Sequence, residues 1–270
     1  MLNFNELSYQ GHVNHEGAYK TYVPGTRLRD WIQCFWQLDV PAGLYAYRSI
    51  PDNSVDCIFD LSHPLEAFVI APFVSPNIFE LTGPVSYWGV RFRVLGHRRL
   101  MKLPLGEWST ASDVNAVDLL PMEVFHSLSE LCSQPLSFEV RCRRLETALS
   151  KYLREPDLDP RLLQYLHYCQ KTCASNVDLS DRQCAEFGLS SRQLRRLTQL
   201  HLGVSPRAFV RVMRFQNMIH AMHQEGAGIR TQWADFYYDQ AHLYREFKAL
   251  AGVTPSALMN SSVLYNTESA

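Results

Sequence analysis

The stretch from Gly188 to Pro206, GLSSRQLRRLTQLHLGVSP, returns in reduced form at Asp239 to Pro255, DQAHLYREFKALAGVTP. At a constant offset of 49 positions, Leu194 matches Leu243 and Arg196 matches Arg245. Gly203-Val204-Ser205-Pro206 matches Gly252-Val253-Thr254-Pro255 in the same frame. A fixed offset with a shared stop signal marks two copies of one helical unit. In each G-V-[ST]-P string, Gly suits the left-handed residue that ends a helix. Pro then suits the first position of the next one.

In the first copy Ser190 is a good N-cap, and Gln193 sits where a capping-box partner reaches back. Leu194, Leu197 and Leu200 fall at helical spacing and predict a buried stripe. Ser191, Arg192, Arg195, Arg196 and Gln199 face the other way, a donor-rich surface without carboxylates. Ser180 with Gln183 is a second capping box that opens a short helix through Phe187, and Gly188-Leu189 makes the turn. A short helix, a Gly turn and a helix with a basic outer face form a helix-turn-helix. Its arginines are the groups that would enter a major groove, where Arg bonds guanine bidentately. In the second copy the outward positions are Gln240, Ala241, Tyr244, Arg245 and Lys248.

On these strings, residues 177–258 resemble the DNA-binding domain of the AraC/XylS family of bacterial transcription regulators. The resemblance implies two helix-turn-helix units on either side of a linker helix, here Pro206 to about His223. That helix would be roughly 27 Å long at ~1.5 Å per residue, close to the ~34 Å between successive major-groove faces. It also implies double-stranded DNA as partner, with RNA polymerase, a homodimer and activator behaviour as further family traits. The family usually has a small Ala on the second unit's first helix and a Gly in its turn, where this chain has Gln232 and Phe236. Arg192 is matched by Ala241 and Arg195 by Tyr244. The first unit is therefore expected to give most of the base readout. The second is expected to act mainly as a phosphate clamp or packing element.

The 270 residues suffice for two domains. Net charge is −1 but uneven: residues 171–258 hold eleven Lys and Arg against seven Asp and Glu, and residues 1–170 hold fifteen against nineteen. A basic C-terminal third suits DNA contact. Seven cysteines at 34, 57, 132, 142, 169, 173 and 184 lack framework spacing, which argues for reduced thiols in a cytoplasm. Cys169 and Cys173 with His167 nearby are better explained as small core fillers than as metal ligands, and His12, His15 and Glu16 as a solvated loop. No metal or cofactor is expected. The N-terminus shows no secretion signal, and no stretch approaches the ~20 apolar residues of a membrane span. A soluble, cytoplasmic protein is expected.

Residues 22–94 predict short β-strands. Leu28 to Val40 suggests a short helix leading into a strand, and Pro41-Ala42-Gly43 is a break. Pro51-Asp52-Asn53 has turn chemistry. Val55, Cys57 and Phe59 then alternate with Asp56, Ile58 and Asp60, and Val90, Phe92 and Val94 alternate with Arg91 and Arg93. Such runs between turns suggest a small antiparallel sheet or barrel. Tyr22-Val23-Pro24, the PDN-x-x-D run at Pro51 to Asp56 and GVRF at Gly89 to Phe92 resemble the N-terminal domain of one AraC-type subgroup, over residues 18–120. Members often have PDG where this chain has Pro51-Asp52-Asn53. In such regulators this domain senses a small molecule, mediates dimerisation, or both. Trp36, Tyr47, Phe59, Tyr87 and Trp88 are candidates to line a pocket, with Arg48 or Arg91 as an anion handle. As sheet core and solvated face, the same residues would need no ligand. His97-Arg98-Arg99 with Lys102 reads as a solvated turn, and residues 117–154 as helices.

The expected fold is α+β. A β-rich sensor-like domain with C-terminal helices spans residues 1–155, a Pro-rich linker 156–160, an all-α domain with two helix-turn-helix units 161–260, and a tail 261–270. The expected function is a sequence-specific DNA-binding regulator. One alternative is a degenerate regulator acting through protein partners, motivated by the altered second unit. Another is an enzyme in the N-terminal domain, for which no nucleophile elbow, phosphate loop, dinucleotide fingerprint or metalloprotease helix is found.

Overall fold

The structure, a computed structural model, describes residues 9–10, 19–109, 114–172, 177–224, 237, 239–259 and 263–264. A short pair, β1 (Tyr9–Gln10) and β8 (Val263–Leu264), joins the two ends of the chain. The N-terminal half holds β2 (Tyr19–Tyr22), α1 (Thr26–Arg29), β3 (Ile32–Ser49), β4 (Val55–Asp60), β5 (Phe68–Ile70), β6 (Asn77–Phe92) and β7 (Val114–Asn115). These strands form one six-stranded sheet in the order β2-β3-β6-β4-β5-β7, and every pairing is antiparallel. The long strands β3 and β6 are its spine. A bulge between Val40 and Gly43 interrupts their register, at the Pro41-Ala42-Gly43 break. Period 2 then places alternate residues on opposite faces. Val55, Cys57, Phe59, Trp88, Val90 and Phe92 fall on one face, in a core with α2 (Ala116–Leu119), α3 (Met122–Ser133) and α4 (Phe138–Tyr152). Cys34, Trp36, Leu38, Val40 and Ile58 fall on the other.

The C-terminal half comprises α5 (Pro160–Lys171), α6 (Asp181–Glu186), α7 (Ser191–Leu202), α8 (Pro206–Gln224), α9 (Gln240–Ala251) and α10 (Pro255–Met259). Asp159 caps α5 by accepting from the Arg161 amide at 2.9 Å. The polar stretch before the helix thus ends in a cap, with Leu158 already against the helical core. Two cores organise this half, and α8 belongs to both. Phe209, Val210 and Met213 pack with α5, α6 and α7. Val212, Phe215, Met218, Ile219 and Met222 pack with α9.

The two halves interlock. Ile50, just before the β3–β4 turn, is fully buried in the α8–α9 core, and Val94 and Leu95 join the α5–α7 core. The 3-10 turn Leu105–Glu107 lies on the end of α7. A Cβ at Gly106 would stand 2.7 Å from the Gln199 carbonyl oxygen, which leaves room only for glycine. His97-Arg98-Arg99 departs from the solvated turn expected of it. It forms a 3-10 helix wedged between the sheet's end and α7, with His97 1% exposed. Arg99 stacks its guanidinium 3.6 Å from the Trp31 ring centroid.

His97 is the buried titratable group at this junction. Burial, then Arg98 and His201, push its pKa down to about 3, and burial also lowers His201. A histidine depressed in the folded state stabilises fully above its unfolded pKa of ~6.5, and that stability is lost as pH falls toward the folded value. The unfolding free energy is therefore expected to fall from pH 7 to pH 5, by up to about 1.4 kcal/mol per pH unit from one such group, and the thermal midpoint with it. A His97→Gln variant should show a shallower fall; an equal slope in both proteins would contradict this assignment.

Candidate nucleic-acid interface and ligand pocket

The candidate interface on α7 starts from local capping. The Gln193 amide donates to Ser190 Oγ at 3.2 Å, and the Ser190 amide to Gln193 Oε1 at 2.8 Å, a complete capping box. Ser180 caps α6 by accepting from the Gln183 amide at 3.3 Å, but its own amide donates to Asp178 Oδ1 at 2.8 Å, so the box expected there is only half formed. Gly188, at φ +69°, turns the chain between them, and Gly203, at φ +70°, ends α7. The echo is structural as well. Asp239 caps α9 by accepting from the His242 amide at 2.6 Å, and Gly252 ends it at φ +73°.

Leu194 and Leu197 are buried as the spacing requires, and Leu200 only partly, because the stripe that starts at Leu194 continues at i+4, i+7 and i+8 through Thr198, His201 and Leu202. Arg192, Arg195, Arg196 and Gln199 are exposed, and Ser191 is half-buried. Gln199 turns back, donating its amide to the Gly203 carbonyl at 3.0 Å. On α9, Gln240, Ala241, Tyr244, Arg245 and Lys248 are all exposed. The first helix of the second unit, with Gln232 and Phe236, lies outside the described residues.

A polar cleft runs between the two units, bordered by Ser191 and Arg195 of α7, Arg207, Arg211 and Arg214 of α8, and His242 and Glu246 of α9. Arg211 grips Glu246 bidentately, Nε to Oε2 at 2.7 Å and Nη2 to Oε1 at 3.1 Å, fixing α9 against α8. The α8 arginines are absent from the reading of the sequence, although their i, i+4, i+7 row is visible in it.

On the sheet's other face is a second feature, a partly open pocket of about 110 Å³. Trp36, Leu38, Tyr47 and Ser49 of β3 line it, with Asp56 and Ile58 of β4, Phe68 and Ile70 of β5, and Phe79, Leu81, Tyr87 and Arg91 of β6. Tyr19 and Phe73 complete it. The bulge in β3 explains why even-numbered Trp36 and odd-numbered Tyr47 share this face: one residue of register slip reverses the parity. Of the expected pocket residues, Trp36, Tyr47, Tyr87 and Arg91 come together here. Phe59 and Trp88 do not. Strand parity turns them into the opposite core, against each other at 6.2 Å between ring centroids. Arg48 points away as well and approaches the Ala251 carbonyl at the end of α9, at 3.5 Å.

Arg91 is tied down at the pocket's floor. Its Nη2 donates to Asp56 Oδ2 at 2.6 Å, and its Nη1 to Asp52 Oδ2. Asp56 Oδ1 also accepts from Trp36 Nε1 at 2.9 Å. Asp52 Oδ1 in turn accepts the Ser54 amide at 2.9 Å, holding the β3–β4 turn. That turn touches α8 directly. Gln216 Nε2 donates to the Pro51 carbonyl at 2.7 Å, and Asn53 Nδ2 donates to the Phe209 carbonyl at 3.1 Å, both bonds buried. Asn53 stands at φ +60°, a conformation Asn tolerates better than most residues. A Gly here would fit the turn but could not make the bond.

Two family models match the chain, one in each half. Residues 183–261 match the family described as a helix-turn-helix domain, and residues 20–112 match a domain of unknown function (DUF6597). Residues 183–261 form an AraC-type helix-turn-helix domain. No curated protein matches the chain. Solved structures similar to it include an apo variant of ToxT from Vibrio cholerae strain SCE256, at 14% identity and TM-score 0.44, covering 94% of this chain and 96% of that one. Another is unsaturated fatty acid bound wild-type ToxT from the same strain, at 14% identity and TM-score 0.42, covering 83% and 92%. Among the described residues no helix is long and apolar enough to cross a membrane. The AraC-type domain is thus joined to the pocket through α8, the helix between its two units.

Gly89 lies directly under the Trp36 indole, and a Cβ there would run into the ring. Gly89→Ala is therefore expected to displace Trp36, break its bond to Asp56 and cost about 1–3 kcal/mol of stability. Chemical denaturation would measure this; stability within about 0.5 kcal/mol of the original would contradict the packing described.

Proposed function

We propose that the chain is a sequence-specific, effector-responsive transcription regulator. Exposed arginines of a capped α7 read bases in the major groove, with α9 supporting. The pocket of the sheet domain receives a small, mostly apolar molecule. The observation that carries this reading is the position of α8. It is the common wall of both helix-turn-helix cores and is hydrogen-bonded to the turn that Arg91 anchors beneath the pocket.

In this reading Arg192, Arg195 and Arg196 contact base edges, with Ser191 and Gln199 beside them, while Arg245, Lys248, Gln240, Ala241 and Tyr244 face the duplex from α9. Arg207 and Arg214 in the cleft supply phosphate contacts. RNA polymerase and a second copy of the chain are further partners, and the work is done in the cytoplasm, without an enzymatic step. A second reading, a regulator acting through protein partners, draws on Ala241 and Tyr244, which stand where the first unit has arginines.

Selection of genomic fragments by the full-length protein, followed by salt titration of the best site, tests the main reading. Affinity is expected to fall steeply as salt rises. Arg196→Ala should cost about 1–3 kcal/mol of discrimination at particular base pairs. Binding that depends on neither Arg196 nor Arg245 would favour the second reading. The coupling has its own test. Asn53→Gly keeps the left-handed turn and removes the bond to Phe209. It is expected to change operator affinity several-fold with base preference unaltered; an unchanged affinity would contradict the connection between pocket and α8.

A further inference from the structure

We propose that the pocket of the sheet domain takes an organic ammonium ion carried on about one ring of apolar surface, its N–H groups donating to the Asp56 carboxylate. This rests on the effector reading above and names the chemistry of the ligand.

The walls are the first argument. Trp36, Tyr47, Phe68, Phe79 and Tyr87 turn into one small pocket, and Tyr47 and Phe79 stack at 6.5 Å between ring centroids. Aromatic faces carry negative electrostatic potential and hold cations within about 6 Å of the ring centroid. The polar end is the second. Asp56 lines the pocket, and each of its oxygens already accepts one bond, from Trp36 and from Arg91. A carboxylate offers roughly four lone-pair sites, and an ammonium carries three donors and no acceptor. The two are therefore complementary without disturbing either existing bond.

An anion fits less well. Arg91 is the one cation among the described residues that line the pocket, and both its terminal nitrogens bond carboxylates, those of Asp52 and Asp56. A ligand carboxylate would bring a further negative charge to that guanidinium and would have to displace a buried partner from it. Arg91 is thus a support for Asp56 rather than a handle for an acid. Burial pushes Asp56 up to about 7, and a ligand cation beside it, in addition to Arg91, would favour the charged form. Size limits the rest. About 110 Å³ is of the order of the ~150 Å³ that admits a single benzene ring.

Calorimetric titration of the full-length protein with 3-phenylpropylamine, 3-phenylpropanol and 3-phenylpropionate separates charge from shape, because the three share a ring and a chain length. The amine is expected to bind at least tenfold tighter than the alcohol, and the carboxylate most weakly. Asp56→Asn should remove most of the amine's advantage, read as the ratio of amine to alcohol affinity within the variant; a ratio still near tenfold would overturn the inference. If that variant does not fold, the ranking in the unmodified protein decides alone. Amine and alcohol binding equally, or the carboxylate binding best, overturns the inference and leaves a ligand pocket in place. Binding of none of the three also overturns it, while the effector reading stands or falls separately on the Asn53→Gly measurement.

Discussion

The carbonyl of Pro51 is buried in the turn between β3 and β4, and Gln216 of α8 donates to it. A buried carbonyl left without a donor costs about 1–3 kcal/mol, so the β3–β4 turn and α8 are held in one geometry. Asn53 adds a second bond to the same helix, and Ile50 fills its core. The turn is fixed from the other side by Asp52, which meets Arg91. Three parts of the molecule therefore meet at one short segment: the floor of a pocket, the end of two inner strands, and the helix between α7 and α9. A change at any one of them must be accommodated by the others, because close-packed interiors do not deform continuously.

Much of the helical half is legible in the sequence because its signals are local. Caps at Ser180, Ser190 and Asp239 and stops at Gly188, Gly203 and Gly252 act within one turn of chain, and the structure places a helix end at each. The sheet half is legible as alternation but not as a pocket. Sequence groups Phe59 and Trp88 with Trp36 because all are aromatic, whereas strand parity separates them. It groups Arg48 with Arg91, but the bulge after Val40 reverses parity and sends Arg48 toward α9. One slipped residue decides the inside and outside of everything that follows, and nothing in the composition of Pro41-Ala42-Gly43 says by how much the register slips.

The junction between the halves is the least legible part. Ile50, Val94 and His97 look like ordinary sheet and turn residues until the helical half is laid against them. Asn53 carries a clearer signal in retrospect. A glycine would supply the same freedom at positive φ, whereas Asn53 keeps that conformation and adds an amide that reaches α8. The α8 arginines follow the same logic: their row is visible in the sequence, but only the cleft between α7 and α9 gives it a purpose.

Coupling between two sites is reciprocal, so DNA at the helices must be felt at the pocket if the pocket is to be felt at the DNA. Amide hydrogen exchange of the full-length protein, with and without its selected operator, measures this directly. Added protection is expected at α7, α8 and α9, and also at the β3–β4 turn and at the strand of β6 that carries Arg91. Protection confined to the helices, with the turn and β6 unchanged, would contradict the account.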